Sequence, residues 1–331
     1  MELILIALML FGGAIGIASQ KVSFGDQIKN EAMISEGIRI EDRAPELLQS
    51  FTKARSPIVL SQPEDVKEEL KFTPIPVKKS DEDPPKILAG SAIIMDMETD
   101  YVIFEKNSHE QFPIASISKI ITALVAEENL SSDYEIVVSQ QAINTEGGTG
   151  KLNVEERFFA KELIDLMLIS SSNDAAVQVA IEISGGTESF SELMNQKVKS
   201  FGLSDSNFVE PSGLSAKNVS TSFDIAQIAD STFGESDIWN ILGRSEMDAE
   251  SIDGKIHHLK NTNQIINDPR IISGKTGFTN EAGGTLVVVA ELGIEKRKMI
   301  FVILGSEDKF GETVMLLDWV EENFDLSLNR R

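Results

Sequence analysis

Cysteine is absent from this chain of 331 residues. That excludes disulfides, thiolate zinc sites and a cysteine nucleophile. It leaves the compartment open, because many exported proteins lack disulfides. Histidine is scarce: His109, His257 and His258 are the three present. They include no HExxH, and three histidines are a poor basis for a metal site. No GxSxG turn occurs either, so a Ser-His-Asp triad has little support. Positive charge is short as well. Lys and Arg number 30 against 53 Asp and Glu, a formal net charge of -23. Phosphate binding needs clustered Lys and Arg, so nucleic acid is not an expected partner. The acidic excess falls mainly after residue 86 and reads as a solubility feature.

Long apolar runs are also few, and one stands almost at the N-terminus. Residues 3–18, LILIALMLFGGAIGIA, carry no charge. The run is short for a spanning helix, which needs roughly 20 residues, and suits a signal-peptide core. Gly16-Ile17-Ala18 offers a small-x-small cleavage site, although Glu2 stands where a positive charge is expected. Residues 1–19 are therefore expected to be a signal peptide or a retained N-terminal membrane anchor, placing the protein outside the cytoplasm. Residues 20–86 read as a charged linker. Pro45, Pro57, Pro63, Pro74, Pro76, Pro84 and Pro85 make seven of the ten prolines, and KKSDEDPPK closes the segment. Proline removes donors and interrupts helices. As a flexible coil such a segment reaches roughly 45 Å, enough to hold a domain away from a membrane.

From residue 87 the texture changes, and a domain is expected over 87–325. AGSAIIMDMETDYVIFEKN predicts two strands joined at Glu98-Thr99-Asp100. Apolar residues at 117, 120, 121, 124 and 125 predict a helix over Ser116 to Asn129. Two helical stretches fill 160–184 with an interruption near Ser170 to Asn173, and further helices fit 222–232 and 311–324. Residues 271–275, 284–292 and 298–305 read as strands rich in Val and Ile. Strands first, helices in the middle and strands last indicate an α+β fold, an antiparallel sheet packed with helices.

Three short motifs lie on this frame. In Ser116-Ile117-Ser118-Lys119, positions i and i+3 share a helix face, so the hydroxyl comes within reach of the amine. At a helix N-terminus the free N–H groups favour developing negative charge. A serine needs a neighbour to take its proton, and a lysine does so when burial lowers its pKa. In Ser171-Ser172-Asn173 the interruption between helices presents a hydroxyl and an amide to a cleft; Ser171 could relay a proton and Asn173 could hold a substrate amide. In Lys275-Thr276-Gly277 an amine and a hydroxyl at a strand end could hold a carboxylate. Gly277 would let a substrate backbone approach closely, and the Phe278 N–H could donate to an oxyanion. Taken singly, each has a plain alternative: an N-cap, a pair of helix caps, an ordinary strand end.

Taken together and in this order, S-x-x-K, S-x-N and K-T-G are the motif set of penicillin-binding proteins and class A β-lactamases. With PIASISKIITA, SSSNDAA, FVEPSGLSAKNVSTSFDIAQIA, GKTGFTNEAGGTLVVVA and VILGSEDKFGETVMLLDW, residues from about 87 to 320 resemble the D-alanyl-D-alanine carboxypeptidases, the low-molecular-weight penicillin-binding proteins. The resemblance implies a β-lactamase/transpeptidase-like fold, with a five-stranded antiparallel sheet and a helical subregion. It implies Ser116 as acyl-enzyme nucleophile, Lys119 as proton acceptor, Ser171 and Asn173 as cleft residues, and Lys275 with Thr276 as carboxylate binders. Peptidoglycan stem peptides would be the substrates, β-lactam antibiotics the inhibitors, and no metal or organic cofactor is implied.

Two positions depart from the family pattern: Ser172 stands where many members have Gly, and Asn218 where many have His. The chain ends soon after its last helix, whereas longer members add a C-terminal β-domain and membrane-binding helix; any attachment is then expected from the N-terminus. A DD-endopeptidase would use the same residues. A class A β-lactamase would need a water-activating carboxylate, for which Glu210 in EPSGL is the nearest candidate. A catalytically dead wall-binding protein would be expected to lack motif residues, and none is lacking.

Overall fold

The computed structural model describes residues 73–147 and 150–328. The apolar run at 3–18 and the linker up to residue 72 lie outside the described residues. No described helix is long and apolar enough to cross a membrane.

In chain order the elements begin with β1 (Val77–Lys78), β2 (Ser91–Asp96), β3 (Val102–Lys106) and β4 (Phe112–Pro113). A single 3-10 turn, Ala115–Ile117, leads into α1 (Ser118–Asn129). The short strand β5 (Glu135–Val137), α2 (Gln140–Ile143) and β6 (Arg157–Phe159) follow. Next come α3 (Ala160–Ile169), α4 (Asn173–Ser184), α5 (Thr187–Ser200), β7 (Val219–Ser220), α6 (Ser222–Thr232) and α7 (Ile238–Leu242). The hairpin β8 (Glu246–Glu250) and β9 (Ile256–Lys260) precedes β10 (Ile271–Thr279), β11 (Gly283–Leu292) and β12 (Arg297–Ser306). The chain then closes with α8 (Lys309–Asn323) and β13 (Phe324–Asp325).

The main sheet has five strands in the order β10-β11-β12-β2-β3, every pair antiparallel. Its central strands read as continuous apolar runs because both faces are covered. Side chains alternate between faces. Ile93, Met95, Val287, Val289, Ile300, Val302 and Leu304 join the core formed with the helical region. Ala92, Ile94, Leu286, Val288, Ala290, Met299, Phe301 and Ile303 join a second core with Leu316, Leu317 and Val320 of α8. The sheet and the expected strands and helices therefore agree. Three features have weaker sequence signals. α5 buries Phe190, Met194 and Val198, a narrow stripe in a polar stretch. β8 buries only Ala249, and the short strands β5 and β6 bury one residue each.

The structured domain begins before residue 87, its expected start. β1 pairs with β13, Val77 opposite Asp325. Pro74 and Pro76 are buried. Arg297, fully buried, forks Nε and Nη2 onto the two carboxylate oxygens of Asp96 at 2.6 and 2.8 Å and donates to the Pro74 carbonyl at 2.7 Å. Proline lacks an N–H, which costs nothing at the margin of a sheet, so prolines here did not mean an unpacked chain.

Candidate active site

The site forms where the 3-10 turn before α1 meets the edge strand β10. Ala115, just before the nucleophile candidate, has a left-handed φ of 48°. Such a conformation costs a non-glycine residue ~1–3 kcal/mol, so the surrounding packing must hold it. It turns the chain so that Ser116 opens the helix and stays partly accessible, while Ile117, Ser118 and Lys119 are buried.

Lys119 Nζ donates to Ser116 Oγ at 3.0 Å, to Asn173 Oδ1 at 2.7 Å and to the Ser212 carbonyl. Burial lowers its pKa from 10.5 to about 7, against the opposing pull of the Glu210 and Asp174 carboxylates. A half-neutral amine in contact with a serine hydroxyl is what base-assisted nucleophilic attack requires.

The second motif straddles the gap between α3 and α4. Ser171 has a left-handed φ of 60°, the conformation that ends helices. Its Oγ accepts from Lys275 Nζ at 2.9 Å. Ser172 is the N-cap of α4, accepting from Ala175 N at 3.1 Å. That explains the serine where many family members have glycine: this hydroxyl satisfies a helix-end donor. The Asn173 side chain is used at both ends. Its oxygen accepts from Lys119, and its Nδ2 donates to the carbonyls of Glu146 and Gly147 at 3.0 and 3.2 Å.

The third motif lies on β10. Lys275 is fully buried and also donates to the Thr276 carbonyl at 3.1 Å. Burial, and then the neighbouring Lys119 charge, hold its pKa well below the ordinary lysine range. Thr276 Oγ1 shares a hydrogen bond with Thr262 Oγ1 at 2.6 Å. At Gly277 a Cβ would stand 2.8 Å from the Ser116 nitrogen and 2.9 Å from Ala115 Cβ. The glycine thus admits the protein's own nucleophile turn, where the sequence suggested room for a substrate backbone. The Phe278 side chain is 66% exposed.

Sequence reasoning left the supporting residues unassigned. The Glu210 carboxylate accepts from the N–H groups of Ser212 and Gly213 and from the Ser212 hydroxyl. It thereby shapes the loop whose Ser212 carbonyl holds Lys119. Bound this way, it is spent on its own loop, and a water-activating role of the β-lactamase kind has no support. Asn218 accepts from Val209 N and donates to Ser118 Oγ and the Glu210 carbonyl, so this amide ties the Glu210 loop to the residue before Lys119. A cavity of about 540 Å³ lies elsewhere, lined by Glu127, Lys161, Asp237 and Arg244 among others. It contains none of the motif residues.

A serine in the turn that leads into α1, a depressed-pKa lysine at the start of that helix, an S-x-N loop and an edge strand bearing K-T-G are the arrangement of a serine acyl-transfer enzyme of the penicillin-binding class. The sequence model of the D-alanyl-D-alanine carboxypeptidase family matches residues 78–308, and the chain belongs to that family of serine peptidases. A D-alanyl-D-alanine endopeptidase of Escherichia coli is 32% identical over 72% of this chain and 78% of its own length. A D-alanyl-D-alanine carboxypeptidase of Bacillus subtilis is 30% identical over 72% of this chain and 63% of its own length. Among solved structures, penicillin-binding protein D2 of Listeria monocytogenes, in a cefotaxime-bound form, superposes with a TM-score of 0.63 at 24% identity, covering 72% of this chain and 99% of that one. That likeness establishes the fold.

Proposed function

We propose that the chain hydrolyses the peptide bond between two D-alanines of a peptidoglycan stem peptide through an acyl-enzyme on Ser116. The observation that carries this reading is the 3.0 Å contact of Ser116 Oγ with Lys119 Nζ, an amine brought to a pKa of about 7 by burial. Lys119 takes the hydroxyl proton as Oγ attacks the carbonyl carbon. The N–H groups of Ser116 and Phe278 receive the oxyanion. The C–N bond breaks, the amine of D-Ala leaves with a proton from Lys119, and water hydrolyses the ester. Lys275 and Thr276 hold the terminal carboxylate, and Asn173 Oδ1, which accepts from Lys119 through one lone pair, offers the other to a substrate amide N–H. β-Lactams would acylate the same serine, a reading supported by the cefotaxime-bound neighbour. Fluorescent penicillin tests it: Ser116→Ala is expected to abolish covalent labelling with the melting temperature retained, and persistent labelling would end the assignment.

A second reading, cleavage of crosslinks as a DD-endopeptidase, is favoured by the name of the 32% identical relative. Digestion of a linear pentapeptide and of a crosslinked dimer side by side separates the two.

Action at the cell envelope follows for a peptidoglycan enzyme, and we place the domain outside the cytoplasmic membrane. Either the run at 3–18 is retained as an anchor or it is cleaved after Ala18. N-terminal sequencing of the native protein distinguishes these; an intact Met1 on a soluble cytoplasmic protein would defeat both.

A further inference from the structure

We propose that His257, which lies outside every motif, is a positioning residue for the catalytic cluster, and that it holds the Gly150 end of the α2–β6 loop as an imidazolium paired with Glu156. The inference rests on the reading of Lys119 and Asn173 given above. His257 is on β9, buried, with its ring against Phe158 at 5.3 Å between centroids. Its Nδ1 lies 3.1 Å from the Gly150 carbonyl and its Nε2 lies 2.8 Å from Glu156 Oε1. A carbonyl oxygen only accepts, and an ionised carboxylate only accepts. With Glu156 ionised, both bonds form together only when both ring nitrogens carry a proton.

Glu156 is suited to be the ionised partner. Burial alone would raise its pKa. Hydrogen bonds from His257, Asn153 N and Lys255 outweigh that and bring it below the usual value. Its second oxygen accepts from Asn153 N at 2.9 Å and from Lys255 Nζ at 3.3 Å. Among the described residues, Glu156 is the charged group that faces the ring directly. Lys255 faces it through that carboxylate, and Lys255 also donates to the Lys151 carbonyl at 3.1 Å.

What this clamp holds lies directly on the S-x-N motif. A Cβ on Gly150 would stand 2.5 Å from Ser172 Oγ and 3.2 Å from Asp174 Oδ1, so the Gly150 backbone abuts the cap of α4. The same loop supplies the Glu146 and Gly147 carbonyls that receive both protons of the Asn173 amide. With that amide anchored, its oxygen is aimed at Lys119 Nζ, 2.7 Å away. The connection runs from Glu156 to His257, to Gly150, to the Ser172 cap of α4, to Asn173 and to the general base. Of these, Glu156, His257 and Gly150 lie outside every motif.

The test uses the full chain, fluorescent penicillin and three variants. His257→Gln can satisfy one acceptor and not both, so the acylation rate of its folded fraction is expected to fall about tenfold, within the loss that a displaced reacting group causes, and its melting temperature is expected to fall because Glu156 loses a buried partner and keeps Lys255. In Glu156→Gln the amide donates to ring Nε2 while Nδ1–H still donates to Gly150. Most of the acylation rate is then expected to survive on a neutral ring. Histidine 15N spectra read the ring directly, since only three histidines are present. The parent at pH 7 should show both His257 nitrogens protonated, and Glu156→Gln should show only Nδ1 protonated. Asn173→Ala separates the two levels of the argument. If Asn173→Ala is slowed and His257→Gln is not, or if the parent ring carries one proton while acylating at full rate, the role of His257 is overturned. If neither variant is slowed, the reading of Asn173 itself has failed.

Discussion

Among the described residues three long cationic side chains are fully buried, and they fall into two regions that treat charge differently. Arg297, where the chain enters β12, is matched by a forked ion pair with Asp96. Lys119 and Lys275, in the cleft, make no direct ion pair with a carboxylate among the described residues. Their partners are hydroxyls, an amide oxygen and carbonyls. Burying a charge is tolerated when it is paired and costly when it is not. The first region spends its pairing on holding the fold together. The second leaves two amines underpaired, and each shortfall has a use. Lys119, with its pKa lowered to about 7, can serve as the base of the proposed mechanism. Lys275, beside Lys119, lacks a counter-charge that a substrate carboxylate would supply.

The largest effect of breaking this contrast is expected at the paired cation. Arg297→Met would leave Asp96 buried without its partner, and removing one member of a buried pair costs ~3–5 kcal/mol. Denaturant titration should show that loss. The surviving folded fraction should be acylated by penicillin at a near-parental rate, because neither Arg297 nor Asp96 touches the cleft residues. A loss of less than ~1 kcal/mol would mean that the pair is not a structural requirement.

At the underpaired cation the effect should be on rate. Lys119→Arg preserves charge, but a guanidinium stays protonated and cannot serve as base. Acylation is expected to fall by ~10²-fold or more, the range for loss of a general base. A normal rate in that variant would show that another group removes the serine proton.

Acidity provides a milder perturbation of the same contrast. With Lys119 at about 7, the neutral fraction shrinks roughly tenfold for each pH unit below that point. The acylation rate of the parent should fall with it, and a flat profile from pH 5 to 8 would contradict the base assignment. Stability carries a matching sign. Between about 7 and 10.5 the unfolded chain binds a proton at this position and the folded chain does not. Stability from this residue therefore rises with pH across that window. Lys119→Met should remove that slope.

The two regions also differed in how legible they were in the sequence. The five-stranded sheet was readable because β2, β11 and β12 are dense in Val and Ile and their neighbours alternate cleanly between two cores. The Ser116–Lys119 contact was readable because i, i+3 spacing brings a hydroxyl and an amine within reach of each other. The Arg297 clamp was not. Its partners are Asp96 and a proline carbonyl far away in sequence, and the prolines around residue 74 argued for a linker. Nor were the supports of the cleft. Glu210, Asn218 and His257 act by hydrogen bonds to backbone groups, whose positions exist only once the loops have folded. Short polar elements such as β8, with one buried side chain, carry too little periodicity to be seen.

The smallest expected effect concerns Lys275's side of the cleft and tests whether a substrate carboxylate completes it. Thr276 is buried and its hydroxyl contacts that of Thr262. Valine has nearly the same shape, so Thr276→Val should keep β10 in place, and Thr262→Val controls for loss of the hydroxyl pair alone. A hydrogen bond to a charged group contributes ~1.5–3 kcal/mol, against ~0.5–1.5 kcal/mol for a neutral one. If Thr276 donates to the terminal carboxylate, kcat/KM for a peptide ending in a free carboxylate should drop more than for its amide, by roughly fivefold for each 1 kcal/mol of difference. The amide already forgoes the charge, so it has less to lose. Equal losses on the two peptides, or the same pattern in Thr262→Val, would remove the carboxylate from this hydroxyl and leave Lys275 to hold it alone.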